Sequence, residues 1–379
     1  MILLIVLSAT AFAFASTAFA ADKPVWTVYY ENLNLPNYGF HKRDKKPDPL
    51  FNIQFTPDNK ILVRFLLYKQ QTKSARKAPP EHSVILLLSK ENGKLINRVV
   101  LPVMPELFPS RRNEIFPLPS GGYVQLIDRH LQVFDSSFNV IYSRVSDGDF
   151  SRITVPLSGK FFILHTNQNS EIIDSDTFET VERLEQQPNF AIEDIWGDRL
   201  LAVRYIGRIQ KTLYSLHEFY EKKIGASQWN YLGFEQGERP TAQYIYNGAI
   251  VVDDRIGLPP DGVIDQKRFW FMIEDGKKSD AVFKDCKFTP SWNTPVMACK
   301  NNKTSAIREL LDLFGKTWIE AYDLITRQVL LKTKAYTPDS ISGEDVVDYA
   351  ISPNGDSIVL MTSKKIELYT VKPKKDKKK

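Results

Sequence analysis

The sequence predicts an all-β fold, a seven-bladed β-propeller of four-stranded antiparallel blades. Two observations on the 379 residues lead to this prediction. A tight turn between apolar strands recurs seven times along the chain, at steps of about 40 to 60 residues. In several of these units a second turn follows, so that one unit contains two hairpins and therefore four strands. The 23 Phe, 16 Tyr and 22 Pro residues fit a chain rich in strands and turns.

The first kind of turn has Gly, Asn or Asp near its tip because hairpin turns require a positive φ angle. Its copies lie at 56–59, 119–122, 157–159, 196–198, 246–248, 290–293 and 353–356. The segments after most copies are apolar at consecutive positions, as in Phe161–Leu164 and Ile358–Met361. A strand with only one buried face would alternate between apolar and polar residues. Both faces of each small sheet are therefore predicted to be covered by neighbouring sheets.

The second kind of turn begins with Asp or Glu, continues through a few polar residues and ends at Val or Ile. Its copies lie at 91–96, 135–141, 174–181 and 323–329, with a looser copy at 274–276. Several units are degenerate, notably the one around 213–231.

Two inner turns resemble those of a known superfamily. Residues 55–59 (FTPDN) and 351–356 (ISPNGD) are similar to the inner hairpin of the YVTN/WD40-like seven-bladed propellers, which are found in secreted bacterial proteins. Tyr322 and Asp323, with Thr326, resemble the start of the outer hairpin of that superfamily. The resemblance covers residues 47–371 and implies the fold, but it indicates no particular function.

The last unit contains three strands at most. We expect Trp26 to Tyr30 to close the ring as the outer strand of this unit, because closure removes exposed sheet edges. The alternative is a free N-terminal strand.

The N-terminal segment predicts export. Residues 1–20 are uncharged and apolar and end in Ala18-Phe19-Ala20, a pattern typical of a secretory signal peptide. An uncleaved membrane anchor is the alternative. The domain prediction is therefore a signal peptide at 1–20, a single propeller domain at 21–371 and a lysine-rich, disordered tail at 372–379. The mature protein is expected in the periplasm or outside the cell, with no later membrane-spanning segment.

The charge of the chain lies largely in its tail. The formal net charge is +5, and the tail holds six lysines and Asp376, so the remaining body is neutral. Nucleic-acid binding requires a basic surface, and we therefore expect no nucleic-acid partner.

A binding face is predicted from the positions of three insertions. The segments 69–83, 253–267 and 300–316 each connect the second and third strands of a unit, so they should project from one side of the ring. The connectors that enter the first strands should bring a ring of mixed charge to the same side: Arg112, Arg152, Glu193, Asp194, Arg239, Lys287, Glu344 and Asp345. The predicted ligand-binding residues are Arg112, Arg152, Arg239, Asp254 and Arg255. The alternative is that these charges are merely solvated.

Within the third insertion, the apolar residues of 307–314 have helical spacing, and Gly315 follows as a C-cap. We expect a short amphipathic helix there that covers a blade, with a partner-binding helix as the alternative.

The two cysteines, Cys286 and Cys299, are predicted to form a disulfide, since both lie about equally far from the turn at 290–293 and the chain is predicted to be exported. Two buried free thiols are the alternative.

No metal or cofactor is predicted, because the five histidines are scattered and no nucleotide-binding fingerprint is present. His130 and His165 are interpreted as structural residues.

Two functions remain open at this point. The first is a non-catalytic scaffold that binds a protein or a small polar ligand on the predicted face. The second is an enzyme of the propeller lactonase or hydrolase kind with a site at the channel mouth.

Overall fold

The computed structural model describes most of the region predicted to be a propeller. The described residues are 22–33, 35, 52–67, 82–102, 114–127, 130–145, 150–156, 158–209, 215–237, 241–256, 266–272, 278–284, 289–303, 316–326, 328–336, 344 and 346–372. The predicted signal peptide, nearly all of the tail, Arg112, Arg239, Cys286, Lys287, Asp345 and the predicted helix at 307–314 lie outside these ranges.

The described chain is almost entirely strand. The first fourteen strands are β1 (Trp26–Tyr29), β2 (Asn52–Phe55), β3 (Ile61–Leu67), β4 (His82–Leu88), β5 (Leu95–Pro102), β6 (Glu114–Pro117), β7 (Tyr123–Ile127), β8 (His130–Phe134), β9 (Val140–Val145), β10 (Phe150–Thr154), β11 (Phe161–Thr166), β12 (Asn169–Asp174), β13 (Thr180–Glu185) and β14 (Phe190–Trp196). The others are β15 (Arg199–Arg208), β16 (Ser215–Lys223), β17 (Asn230–Gly237), β18 (Thr241–Tyr244), β19 (Ile250–Ile256), β20 (Gln266–Met272), β21 (Lys278–Lys284), β22 (Thr289–Pro290), β23 (Val296–Lys303), β24 (Lys316–Asp323), β25 (Val329–Lys332), β26 (Val346–Ile351), β27 (Ser357–Thr362) and β28 (Lys365–Thr370). Short 3-10 turns lie at Tyr30–Leu33 and Tyr246–Gly248.

The described strands form seven four-stranded sheets, and every strand pair within them is antiparallel. We number the sheets in chain order: first (β2–β5), second (β6–β9), third (β10–β13), fourth (β14–β17), fifth (β18–β21), sixth (β22–β25) and seventh (β26–β28 with β1). The prediction of an all-β propeller with four-stranded antiparallel blades is confirmed.

The predicted inner turns all join the first and second strands of a sheet. Asn59 and Gly355 adopt φ angles of 62° and 67° at two of them, as the turn chemistry requires. At Gly159 an added Cβ would lie 3.0 Å from the Cα of Gly197 in the next sheet, so neighbouring turns approach each other at backbone distance.

Strand β1 is the outer strand of the seventh sheet, as predicted. Trp26 pairs with Leu368 and Tyr29 with Lys365 of β28. The Trp26 indole N–H also donates to the carbonyl oxygen of Lys90 in the first sheet, at 2.7 Å. The strand ends one residue earlier than expected, because Tyr30 begins a 3-10 turn.

Buried apolar side chains fill the spaces between sheets. One cluster, for example, joins Leu126 of the second sheet to Phe162 of the third, and another joins Phe55 of the first sheet to Met361 of the seventh. Because each sheet is covered on both sides, its central strands are apolar at consecutive positions; β27 is buried at all six residues.

The three predicted insertions do connect second and third strands, but their bounds were too wide. Ser83 lies in β4, residues 253–256 lie in β19, 266–267 in β20, 300–303 in β23, and Lys316 in β24. Central strands extend further than the turn pattern indicates, because antiparallel pairing continues to the ends of both partners. No helix among the described residues is long and apolar enough to cross a membrane.

Candidate functional site

The two sides of the propeller carry different connections between strands. In each antiparallel sheet the first and third turns lie on one side, which we call the turn face, and the second–third connections and the links to the next sheet lie on the other, the insertion face. Neighbouring turns bind one another on the turn face. The Gly197 N–H donates to the Ser158 carbonyl at 3.4 Å, and the Ser291 hydroxyl donates to the Pro353 carbonyl at 2.6 Å. Hydrogen bonds between turns of neighbouring sheets thus stabilise the turn face at these two points.

A cavity of about 320 Å³ lies between the third and fourth sheets. Thr166 and Ser170 line it from either side of the connection between β11 and β12, and Gln186 and Gln187 line it from the link between β13 and β14. These positions place the cavity on the insertion face. Its apolar wall is formed by Leu184, Phe190, Ile192 and Trp229.

Arg152 is the predicted ligand-binding residue that the structure places at this cavity. Its Nη2 donates to the carbonyl oxygen of Ile192 in the fourth sheet, and its Nη1 lies 3.5 Å from a carboxylate oxygen of Glu193. The side chain is 44% exposed, so one edge of the guanidinium is anchored while part of it faces solvent. A ligand role for Arg152 stays a prediction.

None of the other predicted ligand-binding residues is among the described residues that line the cavity. Arg112 and Arg239 lie outside the described residues. Asp254 and Arg255 lie in β19, paired with Arg268 and Lys267 of β20, and they are therefore strand rather than loop residues.

Two residues of the predicted charge ring, Glu193 and Asp194, lie within β14, and Arg152 lies within β10, so the expectation that they belong to connectors was wrong. The reason is that the first strands begin earlier than the turn pattern suggests and contain a β-bulge, at Phe150/Arg152 and at Ile192/Asp194.

Asp194 bridges two sheets through the backbone. Its carboxylate accepts a 2.8 Å hydrogen bond from the N–H of Ile195 and a 2.7 Å bond from the N–H of Tyr244 in the fifth sheet. Burial raises the pKa of Asp194 to about 7, although both backbone hydrogen bonds oppose this shift. Burial also raises the pKa of Glu193, against the charge of Arg152.

His165 is buried in the wall of the cavity and both of its ring nitrogens are engaged. Nε2 lies 3.1 Å from the Thr154 hydroxyl and Nδ1 lies 2.9 Å from the Ser170 hydroxyl. Burial, and then the charge of Arg152, lower the pKa of His165 to about 3. The imidazole is therefore neutral at physiological pH and is held in place by two hydroxyl groups, in keeping with a structural role.

Glu344 of the predicted charge ring contacts two residues of the seventh sheet, which it precedes in the chain. Its carboxylate accepts a hydrogen bond from the Thr362 hydroxyl at 2.5 Å and lies 3.3 Å from the ammonium group of Lys365.

Sequence reasoning missed an aromatic ladder that begins at the cavity and continues across the fourth sheet. We use this name for Trp229, Phe190, Tyr220 and Tyr231. Successive ring centroids are 5.1 Å, 5.9 Å and 5.6 Å apart. The rings come from three strands and one turn of the unit with the weakest repeat signal, so no local motif could have revealed them.

Within the described ranges, no three His, Cys, Asp or Glu side chains are grouped closely enough to hold a metal ion.

Comparisons with known proteins add information on the fold. No family model matches the sequence, and no curated protein matches it significantly. The β-propeller domain of the Trilobed protease from Pyrococcus furiosus, which has an open velcro topology, is 9% identical, with 86% of this chain and 98% of that chain covered and a TM-score of 0.51. This likeness shows a β-propeller.

Two WD40 domains are similar at lower scores. The Pan2 WD40 domain of Neurospora crassa is 11% identical, with 93% and 96% of the two chains covered and a TM-score of 0.48. The C-terminal WD40 domain of Sif2 is 9% identical, with 86% and 97% covered and a TM-score of 0.45.

Proposed function

We propose that the protein is a non-catalytic binding propeller whose partner or polar ligand contacts the insertion face at the cavity between the third and fourth sheets. The observation that carries this proposal is the cavity itself, which combines an apolar wall with polar side chains, two of them exposed amides. The side chains of Gln186 and Gln187 are exposed at its rim. A concave apolar surface with a few polar groups is the usual form of a binding site.

The seven sheets are, in this proposal, the blades of one closed ring. Its support is that each of seven apolar clusters joins two neighbouring sheets, and that the cluster around Phe55 and Met361 joins the first sheet to the last. A ring of this kind supplies a rigid frame for the insertion face.

The alternative, a hydrolase-type enzyme, needs an activated nucleophile or a bound metal. The nearest approach to a nucleophile–base pair at the cavity is Ser170 with His165, 2.9 Å apart. An effective general base has a pKa near the working pH, whereas the pKa of His165 is about 3. His165 is thus a poor base for Ser170, and this favours binding over catalysis.

The proposal is tested by filling the cavity. Ala191 lines the cavity and is exposed, and Ser136 is exposed at a turn on the turn face. We expect a small polar ligand identified by thermal shift to raise the melting temperature of the wild type and of Ser136→Trp, but not of Ala191→Trp, because a bound ligand stabilises only a site that it can enter. A ligand whose effect survives Ala191→Trp contradicts the proposed location.

We also propose that the protein is exported after cleavage behind Ala20 and belongs outside the cytoplasm. The support is the uncharged apolar segment that ends in Ala18-Phe19-Ala20. N-terminal sequencing of material from the producing cell is the test, and an intact Met1 contradicts cleavage.

A further inference from the structure

We propose that the aromatic ladder is a docking groove for a proline-rich segment of a partner protein, bound as a polyproline II helix with a lysine or arginine close to Glu185. This inference rests on the proposed binding function of the cavity between the third and fourth sheets, which Trp229 and Phe190 line, and it names the kind of partner.

The ladder is a continuous row of rings at an open surface. Phe190 packs edge-on against Trp229, with an angle of 72° between the rings, and Tyr220 and Tyr231 cross at 65°. Tyr231 is 54% exposed, and the other three rings are partly buried. Rings that cross at steep angles leave grooves between them, and the flat pyrrolidine ring of proline fits such grooves.

The spacing of the ladder suits a polyproline II helix. Each step between neighbouring rings lies between 5.1 and 5.9 Å. A polyproline II helix has three residues per turn and rises about 3.1 Å per residue, so one turn spans about 9 Å. Two steps along the ladder span at most the sum of their lengths, which is comparable to one turn, so prolines one turn apart meet alternate grooves between the rings.

Two hydrogen-bond donors of the ladder are available to a ligand, while the Tyr220 hydroxyl donates to the Glu218 carboxylate at 2.6 Å. A polyproline II segment has no internal hydrogen bonds, and its carbonyl oxygens need external donors. The indole N–H groups of Trp26 and Trp318 donate to groups of the protein, whereas within the described structure the Trp229 N–H and the Tyr231 hydroxyl have no such partner. The amides of Gln186 and Gln187 extend this set of donors at the cavity.

The charges around the ladder favour a basic partner. Arg204 and Glu218 pair with each other beside Tyr220, and Lys222 pairs with Glu182 beneath Trp229. Arg152 is partly neutralised by Glu193. Glu185 lies at the cavity rim, exposed and without an ion-pair partner among the described residues. A lysine or arginine next to the proline run would complement this carboxylate.

The test uses the full-length chain and labelled peptides of about ten residues, all proline except for a C-terminal arginine. Fluorescence anisotropy should show saturable binding with a Kd below about 1 mM. A peptide of equal length that keeps the arginine but replaces proline with glycine and serine should bind at least about tenfold more weakly, because it is not preorganised.

Substitutions locate the site. Tyr231→Ala should weaken binding by about tenfold or more, as expected for an exposed aromatic anchor. Ile141→Ala is the control, since Ile141 is equally exposed, at 54%, on the second sheet. Glu185→Gln should abolish the preference for arginine over glutamate at the peptide end while leaving binding of an all-proline peptide unchanged. Circular dichroism confirms that each variant is folded.

The proposal is overturned by the absence of saturable binding, by equal binding of the glycine–serine peptide, or by equal effects of Tyr231→Ala and Ile141→Ala. Binding of a soluble oligosaccharide that is lost in Tyr231→Ala, without peptide binding, also overturns it. If these peptides fail while Ala191→Trp still blocks a ligand in the thermal-shift experiment, then only the peptide inference fails and the proposed binding face stands.

Discussion

The Asp348 carboxylate accepts a 3.0 Å hydrogen bond from the backbone N–H of Ile53 and so joins the innermost strand of the seventh sheet to that of the first. Asp348 follows a β-bulge, as Asp194 does, and the Asp194 carboxylate accepts from Tyr244 in the same way. Arg152 likewise follows a bulge and donates to the Ile192 carbonyl, so a residue after an inner-strand bulge bonds to the backbone of the next sheet at three places among the described residues. At Asp348 this hydrogen bond joins the last sheet to the first.

We expect Asp348→Ala to lower the free energy of unfolding by about 1–3 kcal/mol, because the buried Ile53 N–H loses its acceptor. Equilibrium unfolding in urea measures this change. Asp135→Ala is the control: Asp135 accepts its hydrogen bonds from Ser137 and Asn139 within an exposed turn. If the two variants lose equal stability, the hydrogen bond between the sheets has no special role.

Removing β1 should destabilise the protein strongly. Trp26 and Val28 pack on the cluster between the first and seventh sheets, and β1 covers the edge of β28. Deletion of residues 22–31 exposes that edge and part of the core, and a loss of several kcal/mol corresponds to a fall in melting temperature on the order of 10 °C.

Calorimetry measures the effect of this deletion, with removal of the lysine-rich residues 374–379 as the control. A melting temperature that stays unchanged without β1 contradicts its role in closure.

Asp194 should make stability depend on pH in the neutral range. Its pKa in the folded protein is about 7, raised from an ordinary value of 3.8. The folded state therefore binds the proton more tightly than the unfolded state does. This contribution to stability is fully present below about pH 4 and is lost as the pH rises through 7.

The loss amounts to at most about 4 kcal/mol. We expect wild-type stability in urea to fall between pH 5 and pH 8, and the fall to be smaller in Asp194→Asn, which cannot ionise. Glu193 contributes in the same direction because its pKa is also raised. Identical pH slopes for wild type and variant contradict the assignment to Asp194.

The repeat architecture was predictable because its signals are local. The turn at 353–356 needs a residue with positive φ, and Gly355 supplies it within four residues of sequence. The pairing of β1 with β28 followed from counting strands. The turn is decided by residues that are neighbours in sequence. The partner of β1 is decided by the number of strands, because the last unit lacks a fourth strand of its own.

The site was predictable only in part. The sequence placed Arg152 on the correct side of the molecule, but not its hydrogen bond to Ile192, which depends on a bulge with no sequence signature. The ladder was missed because Phe190 and Trp229 are far apart in the chain and meet only when β17 is in register. Packing between strands decides such contacts, and a single sequence carries little record of it.

The final prediction concerns Cys286 and Cys299. Cys299 is 1% exposed in β23, and no cysteine among the described residues is a free thiol. In the described part of the hairpin Thr289 pairs with Ala298, so Cys299 lies one residue beyond the last described pair. Cys286 lies outside the described residues, and its bond to Cys299 stays a prediction.

The bond would close a loop of about 14 residues, worth roughly 3 kcal/mol in the chain-entropy model. We expect thiol titration of the denatured, unreduced protein to find no reactive thiol, and reduction to release both. Two reactive thiols per chain before reduction would show that the cysteines are unpaired.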